Sequence, residues 1–477
     1  MVSEQQIKEL TYSYVLAISD QKYNPQMIAN MNLFKKLGKD KIIEILSFPI
    51  EKFCNKYDPH KVRDFVYKND YFTPRNIFLI NPIYYTYYTY LVFKIIYEGL
   101  GKKGEINFSD GNMKVFYSGL LDIRFSQSDI IKRGKYKNSY KLFQKEREKY
   151  LGKSVLTVDV QDFFNSISIS NLTIKLKNIM GQKKIVEDLD YFFKYCELES
   201  LPQFHSSIAS SILSQIYLTN FDAKVKDLLV REKLHLIRYV DDMYIIHDDK
   251  HIDRKKNNSI LNELSYYLWK DKLVLNTSKT KMLSPDEYKH ITELKDIKYE
   301  DPIKFSSERL IEDKALDVIK SGTLNILIDE LCEIEKNDGI DLEKYKLLSN
   351  KYLSIENDNV SKVIKNIIYS KKWMDLDVKN LKKIIFNWKY ILFNPSEFTV
   401  LYILVYKYLE ENKLITDEGS KIKQILNYLF KNDVFTLRDT LVAVSYLFQK
   451  KMMNPDLLKK ISLVNPNYIK YLETFVK

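Results

Sequence analysis

The chain has 477 residues, of which 45% are apolar, and its formal net charge is +12. That length fits two or three domains, and the apolar fraction is too high for a disordered protein. The positive charge favours polyanionic partners such as nucleic acid, although a lysine-rich solvated surface would explain it equally well.

The cysteines and the apolar segments indicate the compartment. Cys54, Cys196 and Cys332 are too few and too scattered for a disulfide framework or a zinc cluster. The amino terminus carries acids and no apolar core, so it does not resemble a signal peptide, and the longest apolar stretch, 81–93, is too short to span a bilayer. We therefore expect a soluble cytoplasmic protein without a membrane partner.

The first third of the chain combines helical and aromatic segments. Residues 1–70 read as helices with proline breaks, and we expect them to buttress the domain that follows. The tyrosine run 84–90 either stacks on nucleic-acid bases or packs a helix, and we favour packing. Residues 131–153 interleave Lys and Arg with aromatic residues, which favours a nucleic-acid groove over a solvated helix face.

Two segments place acidic residues at the ends of predicted strands. The segment 155–160 contains Asp159 after a β-prone run, and the segment 236–246 sets Asp241 and Asp242 between two apolar runs, which predicts a hairpin with acids at its turn. Carboxylates from separate strands that meet at one edge can hold two divalent cations for in-line phosphoryl transfer. Mg²⁺ is the expected ion, with Mn²⁺ as the alternative, because Mg²⁺ needs only a few carboxylates besides substrate phosphates.

Beyond about Ser306 the pattern changes to helical spacing of apolar residues, and strand alternation is scarce. Helix starts are predicted at Asn394, where Pro395 and Glu397 follow in capping-box order, and at Thr436. The 42 residues between these starts fit HEAT-like two-helix repeats, and a plain helical bundle is the alternative.

At its acidic segments the chain resembles the palm of reverse transcriptases, whose motifs include an Asp followed by an aromatic pair and a Tyr-x-Asp-Asp turn. A fingers strand, the helix of the second motif and the fourth motif are matched, in the family's order, by 75–82, 210–218 and 273–280. The resemblance implies an α+β right-hand polymerase core of fingers and palm, followed by an all-α domain. The expected divisions are 1–70 for the amino-terminal helices, 71–300 for fingers and palm, and 301–477 for the helical domain.

The resemblance also implies roles for individual residues. The implied metal ligands are Asp159, Asp241, Asp242 and the backbone carbonyl of Val160. Phe164 would meet the sugar of the incoming nucleotide and favour deoxynucleoside triphosphates. Arg75 would contact the triphosphate. Lys279 would protonate the leaving pyrophosphate, and a plain surface charge is the alternative for that lysine.

The second motif departs from the family pattern. Leu201-Pro202-Gln203 resembles the start of Leu-Pro-Gln-Gly, which makes Gln203 a candidate substrate-binding residue, but Phe204 replaces the glycine. Registering the motif on the following helix instead places Ser206 at the glycine position. A glycine there lets the backbone approach template and nucleotide closely, so a larger residue puts ordinary template handling in doubt.

A reverse-transcriptase core joined to a long helical half resembles bacterial abortive-infection, or phage-defence, reverse transcriptases. That resemblance implies untemplated or loosely templated DNA synthesis, homo-oligomeric assembly, and priming from a tyrosine of the protein, so that the DNA product stays covalently attached. The first priming candidates are Tyr12, Tyr14 and Tyr23, because chain ends are often mobile. The alternatives are an RNA-templated enzyme that works with a noncoding RNA and a catalytically silent nucleic-acid-binding scaffold.

Overall fold

The computed structural model describes residues 2–20, 24–66, 74–124, 136–248, 254–289, 298–299, 305–306, 309–355, 359–415, 424–425, 427–428, 440, 442–444 and 455–476. The chain forms two compact units. Unit 1 is built from Met1–Asp64, Asn76–Lys295 and Tyr471–Lys477, and unit 2 from Phe65–Arg75 and Asp296–Lys470.

Unit 1 opens with a helical layer. Its helices are α1 (Glu4–Ser19), α2 (Pro25–Leu46), α3 (Ile50–Lys56) and α4 (Pro82–Lys94), which continues as a π-helical turn over Ile95–Gly99. Ser3 and Gln6 form a capping box at the start of α1, and Asn24 caps α2 ahead of Pro25, so local capping fixes where both helices begin. The helices α1, α2 and α4 pack against one another.

Helix α4 carries the tyrosine run, and its tyrosines are core residues. The buried members are Tyr84, Tyr85, Tyr87, Tyr88 and Tyr90. Their hydroxyls reach polar partners at the edge of the core: Tyr84 donates to the Tyr57 carbonyl at 2.7 Å and Tyr87 to the Phe48 carbonyl at 2.7 Å. Because a buried hydroxyl needs such a partner, these bonds fix the helix in one orientation. The packing interpretation is confirmed.

A small sheet joins distant parts of unit 1. Strand β1 (Val62–Arg63) is antiparallel to β2 (Ile77–Leu79), and β2 is parallel to β5 (Gln203–Phe204). The pairing of Ile77 with Gln203 places the predicted fingers strand beside the start of the second motif.

The central sheet of unit 1 contains β3 (Met113–Phe116), β4 (Val155–Val158), β6 (Leu234–Tyr239), β7 (Asp242–His247) and β8 (Lys281–Leu283). Its order is β3-β6-β7-β4-β8, with β3 parallel to β6 and every other pair antiparallel. The remaining helices of the unit are α5 (Tyr136–Glu148), α6 (Phe163–Ser166), α7 (Ile169–Met180), α8 (Lys184–Tyr195), α9 (Ile208–Tyr217), α10 (Thr219–Glu232) and α11 (Arg254–Lys270).

Helix α5 turns its described aromatic side chains towards the central sheet. Phe143 is buried 5.3 Å from Tyr239, and the fully buried Arg147 lies 4.1 Å from the Tyr244 ring. Lys145 is exposed on the same helix. The aromatic residues therefore serve packing, and over the described residues the solvated helix face explains this segment better than the predicted groove.

Unit 2 contains a short antiparallel pair, β9 (Lys298–Tyr299) and β10 (Phe305–Ser306), and is otherwise helical in its described part. Its helices are α12 (Arg309–Lys320), α13 (Thr323–Asp338), α14 (Leu342–Leu353), α15 (Val360–Tyr369), α16 (Val378–Phe386), α17 (Pro395–Glu411), α18 (Pro455–Val464) and α19 (Pro466–Tyr471). Short 3₁₀ segments occupy Lys372–Asp375 and Trp388–Leu392. The expected fold class, an α+β core followed by a helical region, is confirmed.

The predicted start of α17 is confirmed, but its capping box is only half formed. The Asn394 side chain accepts from the Glu397 amide at 3.3 Å. The Glu397 carboxylate instead lies 3.6 Å from Lys365, and burial raises its pKa although Lys365 opposes the shift. The second predicted start, Thr436, lies outside the described residues, so HEAT-like repetition stays a prediction.

Two further expectations concern cysteines and membranes. Cys54, Cys196 and Cys332 are all free thiols. Within the described ranges, no helix combines the length and apolar character needed to cross a membrane.

Candidate active site

The acid-bearing turn is a tight hairpin between β6 and β7. Tyr239 pairs with Asp242, so only Val240 and Asp241 form the loop. Val240 has a φ of 59°, an unusual conformation for a β-branched residue that costs on the order of 1–3 kcal/mol. Its amide donates to the Phe116 carbonyl at 3.0 Å, and its side chain is buried. Strand β3 thus holds a strained turn in place, as is common at functional sites.

The sheet register brings the third acid to the same edge. Strand β4 is antiparallel to β7, with Val158 opposite Met243. One residue further, Asp159 therefore faces Asp242 across the two strands. Asp159 is buried, Asp241 is half-buried and Asp242 is exposed. The strand register therefore places Asp159 and the Asp241–Asp242 turn at the same edge of the sheet.

The electrostatics of this cluster suit a cation. Burial raises the pKa of Asp241 to about 8, with further increases from the carboxylates of Asp242 and Asp159, and Lys279 opposes the shift. Among the described residues, no three acidic, imidazole or thiol groups are placed so that they could hold a metal ion together. That donor set still fits Mg²⁺, which uses one or two carboxylates together with water and substrate phosphates. Repulsion between the carboxylates would be relieved by such an ion.

The hydrogen bonds around Val160 determine the direction of its backbone carbonyl. Val160 forms a bridge with Leu275, and the flanking bonds run from the Gln161 amide to the Val274 carbonyl and from the Asn276 amide to the Asp159 carbonyl, both at 2.8 Å. In an antiparallel pair of this type, the backbone amide and carbonyl of the bridged residue point away from the partner strand. The Val160 carbonyl is therefore directed away from Leu275 and towards the side of the sheet that carries β7.

Asn276 is the residue of this site that sequence reasoning missed. Its side-chain amide donates to Asp159 Oδ2 at 2.8 Å, while Lys279 Nζ lies 3.3 Å from Asp159 Oδ1. Ser278 Oγ donates to Asn276 Oδ1 at 2.7 Å and holds the amide in this orientation. The available signal was the Leu-Asn-x-x-Lys-Thr string, of which only the lysine had been assigned a role. Lys279 itself lies in a turn, not in a strand, and its side chain is 65% exposed.

We predict that Asn276→Ala lowers nucleotide incorporation by about 10- to 100-fold, because hydrogen-bond partners of a metal ligand typically have effects of that size. The Mg²⁺ concentration that gives half-maximal activity should rise, since the Asp159 carboxylate loses its fixed orientation. Titration of Mg²⁺ in an incorporation assay measures both quantities. Ser278→Ala is the matched control and should have a smaller effect in the same direction; equal effects would contradict a direct role for Asn276.

The two aromatic residues after Asp159 differ in burial. Phe163 is buried, whereas Phe164 is half-buried and lies 5.5 Å from the Phe163 ring. Next to them, Asn165 accepts a hydrogen bond from Asn76 at 2.8 Å. Phe164 thus packs against the edge of the core while part of its ring stays accessible.

Arg75 occupies the segment that precedes β2. Its backbone amide donates to the Val66 carbonyl at 2.7 Å, and both residues belong to unit 2, whereas the acids belong to unit 1. The role of Arg75 at the triphosphate thus rests on the family resemblance.

The second motif adopts the register that places Ser206 at the glycine position. Ser206 has a φ of 53°, which favours glycine, and Ser207 caps α9. Phe204 is buried, with its ring 5.9 Å from Tyr88, while Gln203 is half-buried. Phe204 is therefore a core residue, and the doubt about template handling stays a prediction.

Two of the three candidate priming tyrosines, Tyr12 and Tyr14, lie in the described part of the chain. Both described candidates belong to α1, a capped helix packed on α2 and α4. Tyr14 is buried with no hydrogen-bond partner for its hydroxyl, and burial raises its pKa well above the ordinary value. Tyr12 is half-buried and stacks on Phe34 at 5.1 Å. The mobility expected of Tyr12 and Tyr14 was wrong, and Tyr23 lies outside the described residues.

A buried ion pair connects the first strand of the hairpin, β6, to the neighbouring helices. Arg238, on β6, is fully buried and contacts both carboxylate oxygens of Asp222 on α10, one of them at 2.8 Å. Its guanidinium also donates to Gln215 on α9 at 3.0 Å. The three residues connect two helices to the strand that ends in the acidic turn.

Two family models match the chain. One, described as reverse transcriptase (RNA-dependent DNA polymerase), matches residues 117–308, and the other, described as a domain of unknown function (DUF8609), matches residues 316–473. No curated protein matches the chain. The first match includes Asp159, the Asp241–Asp242 turn and Asn276. The chain therefore contains a reverse transcriptase domain at 117–308, followed by a carboxy-terminal domain of unknown function.

Proposed function

We propose that the chain is a metal-dependent DNA polymerase of the reverse-transcriptase type, which transfers deoxynucleotides from their triphosphates to a growing 3′-hydroxyl. The observation that carries this proposal is the juxtaposition of Asp159 with the Asp241–Asp242 turn on neighbouring strands of a reverse transcriptase domain. The test is incorporation of labelled deoxynucleotides by the purified chain with Mg²⁺, with Mn²⁺ and with a chelator. Absence of incorporation on every primer and template offered would favour a silent nucleic-acid-binding scaffold.

In this proposal the acids Asp159 and Asp241 hold Mg²⁺ together with the Val160 carbonyl, and the exposed Asp242 adds negative potential at the rim. Bound Mg²⁺ would supply activation of the attacking hydroxyl and neutralisation of phosphate charge. Lys279 would leave the Asp159 carboxylate when an ion binds there, and its exposed amine would then be available to the leaving pyrophosphate.

Three other side chains are proposed to bind substrate. Arg75 would contact triphosphate oxygens through its guanidinium, as the resemblance implies. Gln203, on β5, and Ser206, between β5 and α9, would contact the nucleotide or its template partner. The half-buried state of both residues supports access from solvent.

We predict that Phe164→Ala raises incorporation of ribonucleotides relative to deoxynucleotides by at least about tenfold, because it removes the ring proposed to meet the 2′-hydroxyl. Competition between the two nucleotide types over one template position measures the ratio. Phe163→Leu is the control, since Phe163 is buried and its change should lower stability without altering sugar choice. An unchanged ratio for Phe164→Ala would assign that ring to packing.

The finer proposal follows the resemblance to phage-defence enzymes: template-independent synthesis primed by a tyrosine of the chain, in a homo-oligomer, with growth arrest during phage infection. The combination of a reverse transcriptase domain with a helical carboxy-terminal domain supports it. Digestion of purified protein by a protease, followed by mass spectrometry, should reveal a nucleotide adduct on one tyrosine peptide. Its Tyr→Phe variant should lose the attached DNA and the growth arrest.

The second candidate is RNA-templated synthesis with a noncoding RNA partner. It is supported by the glycine-like backbone of Ser206 and by the burial of Phe204. A defined RNA that copurifies with the chain, and whose sequence predicts the DNA product, would select this candidate. Product that is free of protein after denaturation would agree with it.

A further inference from the structure

The carboxy-terminal end of α11 exposes two stacked aromatic rings. Trp269 is 68% exposed and Tyr266 is 50% exposed, and their ring centroids lie 6.4 Å apart with an interplanar angle of 18°. Trp373 and Trp388, the other two tryptophans of the chain, are 2% and 8% exposed. An exposed aromatic pair keeps a large apolar area in water, which marks a surface for a ligand with flat apolar faces.

Two lysines flank these rings. Lys270 Nζ lies 4.7 Å from the centroid of the Tyr266 ring, and a hydrogen bond from Lys270 lowers the pKa of Tyr266. Lys224, on α10, also lowers the pKa of Tyr266, and its Nζ lies 5.6 Å from the Tyr267 ring. In the described part of the chain, neither lysine has a carboxylate within salt-bridge distance.

Two of the neighbouring acids are paired with other cations. Glu263, one turn before Tyr267 on α11, is paired with Arg231 at 2.6 Å and accepts a hydrogen bond from Tyr267. Asp271, directly after α11, is paired with Lys175 at 2.6 Å. The surface formed by Lys224, Tyr266, Trp269 and Lys270, named here the aromatic–lysine surface, carries two ammonium groups against one further neighbouring carboxylate, that of the exposed Asp227, and is therefore locally positive.

We propose that the aromatic–lysine surface binds single-stranded nucleic acid, with bases stacked on Trp269 and Tyr266 and the phosphates held by Lys224 and Lys270. Unpaired bases have free faces that suit exposed aromatic rings, whereas duplex bases are already stacked. Lysine close to the aromatic centre of the surface disfavours a protein partner, because protein interfaces are depleted of lysine. A phosphate backbone supplies the negative charge that two neighbouring ammonium groups need.

The aromatic–lysine surface lies close in the chain to a residue that contacts the acidic site. Trp269 lies seven positions before Asn276, whose side chain binds Asp159, so the Cα atoms of the two residues are at most about 25 Å apart. A strand of several nucleotides can extend over that distance. The inference rests on the proposed function only for the source of the strand, which is either product DNA or an RNA partner.

The exposed tryptophan provides a direct test on the full chain. Binding of a dT or rU dodecamer should quench the fraction of the tryptophan fluorescence that acrylamide also quenches. That fraction comes from Trp269, because Trp269 is the accessible tryptophan. A duplex of equal length should quench it much less. The titrations are run on Asp241→Asn without divalent cations, so a failure of the polymerase proposal does not affect the outcome, and the ratio of dT to rU affinity distinguishes DNA from RNA.

Matched variants separate stacking from charge. Anisotropy of a labelled strand should report that Trp269→Phe keeps most of the affinity, while Trp269→Ala and Tyr266→Ala each lose about tenfold. Joint Lys224→Ala and Lys270→Ala should reduce the slope of log affinity against log salt by about 1.4. The control removes the same charge from the exposed Lys35 and Lys39 of α2. It should change neither the quenching nor the tenfold losses of affinity in Trp269→Ala and Tyr266→Ala.

Three results would overturn the proposal. They are equal quenching by duplex and single strand, affinity unchanged in Trp269→Ala and Tyr266→Ala, and a change of oligomeric state in those variants without a change in strand affinity. The last result would assign the rings to a contact with another protein chain. Circular dichroism of each variant checks that α11 remains folded, and Trp269→Phe keeps the test informative if either alanine variant does not fold.

Discussion

Asp241→Asn is expected to abolish deoxynucleotide incorporation, by a thousandfold or more, in a chain that remains folded. The substitution keeps the shape of the side chain and removes the charge that is proposed to hold Mg²⁺. Loss of a metal-ligating carboxylate removes several kcal/mol of transition-state stabilisation, which corresponds to about three orders of magnitude in rate. Asp159→Asn should have an effect of similar size, whereas the exposed Asp242 should tolerate the change better. Single-turnover incorporation at saturating Mg²⁺ measures all three.

The same variant should be at least as stable as the parent chain in metal-free buffer at neutral pH. The pKa of Asp241 in the folded chain is about 8, above the ordinary aspartate value of about 3.9. Between those values the folded chain binds more protons than the unfolded chain, so the free energy of unfolding falls as pH rises through that range. Asparagine cannot ionise, so Asp241→Asn should show a smaller loss between about pH 4 and pH 8, measured by thermal unfolding.

Asp286→Asn is the control for Asp241→Asn, because Asp286 is an exposed carboxylate beyond β8 in the same unit. It should change neither incorporation nor the pH dependence of unfolding. A folded Asp241→Asn chain that polymerises at the parental rate would remove the acidic turn from the chemistry.

Local patterns predicted the parts of the fold that depend on neighbouring residues. The apolar runs on either side of Asp241 and Asp242 predict the β6–β7 hairpin, because strand propensity and a two-residue turn are short-range features. The start of α17 at Asn394 and Pro395 was predictable for the same reason, since capping involves residues three positions apart. Burial of the tyrosine run followed from its lack of charged residues.

Long-range pairing was beyond the reach of these patterns. The Leu-Asn-x-x-Lys-Thr string marks Asn276 as part of a motif, but it does not show that the Asn276 amide binds Asp159, because that contact depends on how the segment after α11 returns to β4. The parallel pairing of β2 with β5 likewise joins segments far apart in the chain, and the burial of Phe204 depends on it and on the tyrosines of α4. The mobility assigned to Tyr12 and Tyr14 failed because a general tendency of chain ends was applied to a capped helix packed on two others.

Arg238→Met is expected to lower the free energy of unfolding of unit 1 by about 3–5 kcal/mol, because it leaves the buried Asp222 carboxylate without its cation. Methionine fills much of the volume of the arginine side chain, so the loss reports mainly on charge. The strand that carries Arg238 ends at the acidic turn, and incorporation by the remaining folded chain should fall as well. Urea unfolding followed by circular dichroism measures the first effect.

Asp222→Asn in the Arg238→Met background should recover a large part of that loss, since it removes the unpaired charge and retains a polar group within reach of Gln215. A recovery identifies burial of an unpaired carboxylate as the cause, because a packing defect at Arg238→Met would persist in the double variant. Asp222→Asn alone should also destabilise, by leaving the guanidinium unpaired in a fully buried position. If both single variants were as stable as the parent, the three residues would contribute packing alone, and the hairpin would be held by its strand pairing with β3 and β4.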